Sequence, residues 1–242
     1  MARERIDKVL VARGLFESRA RAQAAVRAGL VQVAGITVTR PSEEVDGAAE
    51  IAAEAEHPYV SRGALKLVAA LDAFGIDPAG RVALDVGAST GGFTEILLQR
   101  GARHVHAVDV GRDQFHPRLR GRPDVSLLEG TDARALTRDL IPEPVDLIVA
   151  DVSFISLSLV LPPVLALAAP GAALAVLVKP QFEAGPARVK KGIVRDAAVH
   201  DEVCARIAAQ VTGLGWRVTG TIPSPITGGD GNREFLMAAV RV

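Results

Sequence analysis

The stretch Leu84-Asp85-Val86-Gly87-Ala88-Ser89-Thr90-Gly91-Gly92-Phe93-Thr94 constrains the fold more than any other part of the chain. An apolar strand pattern, Val82 to Val86, runs into it, and a helical pattern, Phe93 to Arg100, leaves it. Strand, glycine turn and helix in that order are how open α/β sheets build a ligand crevice at the carboxyl end of a strand. Backbone N–H groups at the helix start face the crevice, and glycines admit a ligand close to the main chain. Asp109 ends the next apolar run, His104 to Val108. An acid ~20 residues past such a turn is placed to hold ribose hydroxyls, so a nucleoside-containing cofactor is expected.

A dinucleotide site wants Gly-x-Gly-x-x-Gly, its second glycine admitting a pyrophosphate. Here Ser89 takes that second place and an acid, Asp85, precedes the turn. Asp-x-Gly-x-Ser-x-Gly-Gly resembles the first motif of class I methyltransferases, which bind S-adenosylmethionine, a ligand without phosphate. Methyl transfer is expected rather than hydride transfer. Further apolar runs read as strands at His104–Val108, Val125–Leu128, Val145–Ala150, Ala172–Val178, Trp216–Ile222 and Phe235–Val240. With Val82–Val86 they make a seven-stranded, mostly parallel α/β sheet of the class I (Rossmann-like) methyltransferase type. Helical patterns lie at Ser156–Ala168 and Asp196–Leu214. Another is capped by Ser61, carries Leu65, Val68, Ala69 and Leu71, and closes near Gly75. The last two strands have no room for a helix between them and are expected to pair antiparallel. Pro162-Pro163 and Pro170-Gly171 cut the longest apolar tract, Phe154 to Val178, below the ~20 residues of a membrane helix.

The head of the chain is different. Residues 1–40 carry Arg3, Arg5, Lys8, Arg13, Arg19, Arg21, Arg27 and Arg40 against Glu4, Asp7 and Glu17, whereas the whole chain has net charge zero. A basic head on a mildly acidic body points to an appendage for a polyanion. A helix with Ile6, Val9 and Leu10 stops at Gly14; Ser18 caps a second one that ends near Gly29. Strand-like pieces follow at Leu30–Val33, Ile36–Thr39 and Glu50–Ala52, and Pro41 to Tyr59 reads as loop and hinge. Arg5-Ile6-Asp7-Lys8-Val9-Leu10, Ser18-Arg19, Ala28-Gly29-Leu30-Val31-Gln32-Val33 and Gly35 together resemble the RNA-binding module of small-subunit ribosomal protein S-four. The resemblance makes Arg5, Arg19, Arg21 and Arg27 the candidates for RNA phosphates. Such contacts supply affinity and salt dependence rather than sequence choice. The expected division is a first domain over residues 1–56, a linker over 57–60 and a methyltransferase domain over 61–242.

In a parallel sheet the strand carboxyl ends share one rim. Asp151 closes one strand there and Lys179 another. Glu234 opens the antiparallel last strand on the same side, and Lys66 reaches over from the preceding helix. Methylating a ribose hydroxyl requires in-line positioning and removal of its proton. A lysine at its ordinary pKa of ~10.4 is mostly protonated, and a second ammonium with partial burial is what lowers such a group. Lys179 is expected to engage the hydroxyl, Asp151 to orient it, and Lys66 and Glu234 to tune charge and position. The four resemble the Lys-Asp-Lys-Glu tetrad of RrmJ/FtsJ-type ribose methyltransferases. More narrowly, Ser61-Arg62-Gly63-Ala64-Leu65-Lys66-Leu67, the glycine turn, Asp151-Val152-Ser153-Phe154-Ile155-Ser156 and Leu177-Val178-Lys179-Pro180-Gln181-Phe182-Glu183 look like the TlyA (haemolysin A) family. The resemblance covers essentially the whole chain, although the linker His57-Pro58-Tyr59-Val60 departs from the Arg-x-Trp-Val form of some members. It implies cytidine 2′-O-methylation of ribosomal RNA, of the large subunit and in some members the small one. It also implies a donor pocket lined by Gly87, Ala88, Ser89, Gly91, Gly92, Phe93, Asp109, Val110, Asp132 and Asp151, with Asp132 near the adenine.

Asp151-Val152-Ser153-Phe154 argues against base amine methylation, which wants Asn/Asp-Pro-Pro-aromatic at this rim. Phe154 either contacts the target nucleotide or packs in the core. Arg188, Lys190 and Lys191 lie in a loop available to RNA phosphates or simply solvated. His104 and His106 find no third ligand, so no metal is expected. A single cysteine, Cys204, fits a reducing, cytoplasmic compartment. The partners expected are ribosomal RNA or ribosomal subunits, with no membrane and no obligate protein partner. The alternatives are a non-catalytic RNA-binding or ribosome-assembly factor on the same fold, or a haemolysin.

Overall fold

The computed structural model describes residues 3–53, 57–228 and 231–242. The chain divides into two compact units, Met1–Pro58 and Tyr59–Val242. The division falls inside the stretch expected as linker; residues 54–56, the end of the expected first domain, lie outside the described residues.

The first unit contains β1 (Arg3–Arg5), α1 (Ile6–Ala12), α2 (Arg19–Arg27), β2 (Val31–Val33), β3 (Ile36–Thr37), β4 (Glu44–Asp46) and β5 (Ile51–Ala53). Ser18 Oγ accepts from the Arg21 backbone N–H at 3.4 Å and starts α2. Ile6, Leu10, Ala22, Ala25, Val26 and Val31 close a small core of their own. Two antiparallel patches complete the unit, β1 with β4 and β2 between β3 and β5. β4 lies in the stretch expected as loop. Only Val45 of its residues is buried, and the flanking Glu44 and Asp46 conceal its strand pattern.

The second unit contains α3 (Gly63–Phe74), β6 (Val82–Val86), α4 (Gly92–Gln99), β7 (His104–Asp109), β8 (Val125–Glu129) and β9 (Val145–Ala150). It continues through α5 (Leu157–Leu165), β10 (Ala168–Val178), α6 (Pro180–Glu183), α7 (Ala197–Gly213), β11 (Trp216–Pro223) and β12 (Phe235–Arg241). Among the described residues the strands form one sheet in the order β11-β12-β10-β9-β6-β7-β8. The pairs from β10 to β8 are parallel, and β12 runs antiparallel to both its neighbours. Strand order therefore reverses between β6 and β9, and their carboxyl ends open the crevice that such a reversal creates. Both faces are covered. Val82, Leu84 and Val86 pack toward Leu161 and Ile207, while Ala83 packs toward Leu67 and Ile96.

Two local findings differ from the sequence pattern. Ser61 does not cap α3; its carbonyl accepts from Ala64 N–H at 3.2 Å and its side chain lies against Gly92. The buried face of α3 is Ala64, Lys66, Leu67, Ala70 and Leu71, rotated from the expected one because Lys66 itself turns inward. The helix α5 runs through Pro162 and Pro163, as the pattern over Ser156–Ala168 required, but it stops at Leu165 and Ala168 already belongs to β10. Pro162 has no N–H for the Ser158 carbonyl; Gln210 Nε2 of α7 donates to that oxygen at 3.0 Å instead.

Candidate active site

The turn after β6 is shaped by contacts that exclude side chains. Gly87 adopts φ +82°, and a Cβ there would lie 2.5 Å from the Asp151 carbonyl oxygen. Its N–H and that of Ala88 donate to the Val108 carbonyl, and Asp151 N–H donates to Val86. Ser89 is left-handed at φ +48° without being glycine. Its N–H donates to Asp109 Oδ2 at 2.7 Å, and Gly111 N–H donates to Asp109 Oδ1 at 2.7 Å. The acid at the end of β7 thereby holds both loops, and it lines a cavity of about 550 Å³.

Beneath the turn, Asp85 is fully buried. Its Oδ2 accepts from Thr94 Oγ1 at 2.6 Å, and its Oδ1 has no hydrogen-bond partner. Burial pushes this carboxyl up to about 7 against the opposing Thr94 bond, with the negative Asp151 and Asp109 adding to the rise.

The rim brings together the four charged residues expected there. Glu234 Oε2 is 2.6 Å from Lys66 Nζ, which lies 3.7 Å from Asp151 Oδ2; Asp151 Oδ1 is in turn 2.5 Å from Lys179 Nζ. The last contact is an ion pair off the hydrogen-bond direction. Register explains the meeting: Val178 pairs with Phe235, so Lys179 and Glu234 are neighbours across β10 and β12. Lys66, Lys179 and Glu234 are each less than a tenth exposed. Two positive and two negative groups alternate, which is what keeps charges tolerable at this depth.

These four line a second cavity of about 630 Å³. The two cavities share Gly87, Ser89, Asp151, Ser153 and Phe154. Val110 and Asp132 line the smaller one with Asp109, whereas Ala88, Gly92 and Phe93 line the larger. Gly91 lines neither. It is left-handed at φ +93°, and a Cβ there would come 2.5 Å from Leu119, so it serves packing at the start of α4. The Asp132 carboxylate is held by Arg134 at 2.6 Å, which lowers it to about 2.

Phe154 is not a core residue. It is 92% exposed, left-handed at φ +63°, with its ring centroid 5.1 Å from that of Phe182. Arg188 pairs with Glu202, while Lys190 and Lys191 are exposed. In the first unit Arg5 and Arg19 both bind the buried Asp7, at 3.0 and 2.9 Å. Arg21 lies 3.6 Å from Glu17 and donates to the His57 carbonyl, and Arg27 reaches Gln23. His104 Nε2 meets Ser126 Oγ at 2.9 Å on β7. Among the described residues no group of three or more His, Cys, Asp or Glu side chains gathers as a metal site. Sequence reasoning passed over Ser153, whose Oγ accepts from Lys179 Nζ at 2.8 Å, and Gln181, whose Nε2 donates to Glu234 at 3.4 Å. Their only signal was adjacency to the rim acid and lysine.

Residues 4–51 match the S4 domain. The 16S/23S rRNA (cytidine-2′-O)-methyltransferase TlyA of Mycobacterium tuberculosis is 46% identical over 238 residues, 97% of this chain and 89% of its own. Hemolysin A of Brachyspira hyodysenteriae is 35% identical over 96% of this chain and 98% of its own. The solved structure of a proposed hemolysin from Streptococcus thermophilus aligns at a TM-score of 0.79 with 40% identity, covering 100% of this chain and 90% of that one. A further match spans residues 59–241, beginning where the second unit begins and ending in the last strand of the sheet just described; by it the chain belongs to the FtsJ-like methyltransferase family.

Proposed function

We propose that this protein methylates the 2′-hydroxyl of a cytidine ribose in ribosomal RNA, with S-adenosylmethionine as donor. The observation that carries the reading is the alternating Glu234–Lys66–Asp151–Lys179 chain at the seam of two adjoining cavities. The target base follows from the name of the 46% identical mycobacterial relative.

The smaller cavity suits the donor. Its size lies within the ~300–1,000 Å³ of small-molecule sites. Its walls combine Val86, Val108, Val110 and Ile155 with the carboxylates of Asp109, Asp132 and Asp151, and its Arg134 is already neutralised by Asp132. Such a lining favours a cation and disfavours phosphate. When bound, the donor supplies a methyl group on a positively charged sulfur. Gly87 and Ser89 give the close main-chain approach, and Asp109 is the candidate for the ribose hydroxyls.

On the acceptor side, Lys179 Nζ in its amine form takes the proton that the 2′-hydroxyl releases. Asp151 orients that nitrogen, and Lys66 with Glu234 keeps the buried charge balanced. Phe154, exposed at the opening of both cavities, offers a ring face to the target nucleotide. Arg5, Arg19, Arg21, Arg27, Arg188, Lys190 and Lys191 are the candidates for RNA phosphates.

The test is transfer of labelled methyl groups to ribosomal subunits, followed by mapping of ribose methylation. Lys179→Ala is expected to lower the rate by at least ~10²-fold with the fold intact. An unchanged rate in that variant overturns the assignment, and no transfer by the natural protein favours a non-catalytic RNA-binding factor. The haemolysin reading draws only on relatives' names; among the described residues no helix is long and apolar enough to cross a membrane.

A further inference from the structure

We propose that Ser153 is a positioning residue that aims the Lys179 amine at the substrate hydroxyl; this rests on the ribose methyltransferase reading above. The nitrogen of Lys179 has four tetrahedral directions, one of them taken by its own carbon. Ser153 Oγ, 2.8 Å away, accepts along one of the three N–H directions, whereas Asp151 Oδ1 at 2.5 Å is an ion pair off those directions. Holding that one N–H fixes the rotation of the group about its terminal bond, and with it the two directions that remain. In the ammonium both carry N–H groups, and in the amine one of them carries the lone pair that must meet the hydroxyl proton. Without Ser153 the group keeps only the ion pair to Asp151, which sets no N–H direction, and rotates about its terminal bond.

The contact spans the connection between β9 and α5, and that connection is fixed on both sides of Ser153. Before it, Asp151 N–H is bonded to the Val86 carbonyl at 3.0 Å. After it, Glu183 takes both Ser156 Oγ at 2.6 Å and Leu157 N–H at 2.7 Å. Glu183 follows closely on Lys179, so this clasp ties the segment bearing the serine to the segment bearing the lysine. Phe154, in the left-handed region, turns its ring outward while the neighbouring hydroxyl turns in. Ser153 lines both cavities and therefore stands where methyl donor and acceptor have to meet. The serine oxygen accepts an N–H from the ammonium and from the amine alike, which leaves the amine lone pair for the substrate. An alanine keeps none, whereas threonine preserves the hydroxyl.

The experiment compares steady-state methylation of ribosomal subunits by the natural protein, Ser153→Ala and Ser153→Thr across pH. For Ser153→Ala the expected result is a kcat lowered ~10-fold or more, with the KM for RNA and the Kd for the donor within about twofold. Its acid limb of kcat should move to lower pH, because an acceptor holding the protonated amine has gone. Ser153→Thr should restore most of the rate. A kcat for Ser153→Ala within about twofold of the natural protein, with the same pH profile, overturns the proposal. So does a loss that leaves the pH profile in place, lowers the melting temperature and is not rescued by threonine, since that is the signature of a structural role. If the natural protein transfers no methyl group to RNA ribose, the functional reading itself falls, and this inference falls with it.

Discussion

Gly87 occupies a place where one added carbon meets the backbone of a rim residue. The Asp151 carbonyl stands 2.5 Å from where a Cβ would be, and φ is +82°. Gly87→Ala is expected to cost about 1–3 kcal/mol in stability. It should cost more in rate, because the displaced residue is Asp151; a loss of ~10²-fold in methyl transfer is expected, read beside the calorimetric melt. Asp85 carries the opposite kind of strain. Its carboxyl is raised to about 7 by burial, so folding favours its protonated form. A raised acid contributes stability that is fully present below its unfolded pKa of ~3.9 and is lost as pH rises through the folded value. Asp85→Asn should therefore flatten the stability profile between about pH 4 and pH 8, making the variant more stable than the natural protein by about 2–4 kcal/mol at pH 8. Equal melting profiles of the two proteins across that range would refute the assignment.

Elements buried on both sides were legible because nothing competes with their apolar pattern. Val82–Val86 and Val145–Ala150 match the observed strands residue for residue, and Asp151 and Lys179 follow directly as the first residues past β9 and β10. Patterns that depend on a side chain leaving its usual environment were not legible. Lys66 was expected at the rim, but not the rotation of the buried face of α3 that comes with its burial, while Ser61 gives up a cap to lie against Gly92. The Ala168–Gly171 start of β10 was missed because a proline and a glycine punctuate it; the pairing with β9 is irregular there, passing from Ala168 to Ala173. A serine in a loop has no period at all, so Ser153 emerged only from its contact with Lys179. The α1–α2 pair shows the same limit: both helices were foreseen, but not the acid that joins them. Asp7 is completely buried and accepts from Arg5, Arg19 and Gln23. Arg5 first, then Arg19 and Gln23, hold it well below the usual carboxylate range against the opposing effect of burial. A lowered acid contributes stability above its unfolded pKa and loses it as pH falls toward the folded value, so the α1–α2 pair should weaken progressively below about pH 4. Asp7→Asn should remove that acid sensitivity and cost about 1–3 kcal/mol at neutral pH. Methyl NMR of Val9 and Leu10 through an acid titration reads both effects.

The whole molecule separates binding charge from reacting charge. Each unit has its own apolar core, and the basic surplus of residues 1–40 sits in the first while the balanced tetrad sits in the second. Arg5 commits one edge of its guanidinium to Asp7 and Arg19 a single N–H group, and their side chains remain 40% and 53% exposed. A guanidinium held on one edge keeps its remaining N–H groups for a phosphate in a fixed direction. Phosphate contacts act through counterion release, so each one removed reduces the slope of log affinity against log salt by ~1. Because loss of both arginines alone would leave the buried Asp7 carboxylate uncompensated, the test is the triple variant Arg5→Ala, Asp7→Asn, Arg19→Ala, which should bind structured ribosomal RNA more weakly at low salt than Asp7→Asn, with a slope reduced by ~2. At saturating RNA its kcat should remain near that of the natural protein, since neither arginine belongs to the unit that holds the rim charges. Donor affinity should be unchanged for the same reason. A salt slope equal to that of Asp7→Asn would remove these two arginines from the RNA interface, and a fall in kcat with an unchanged slope would mean that the first unit acts on the chemistry rather than on binding.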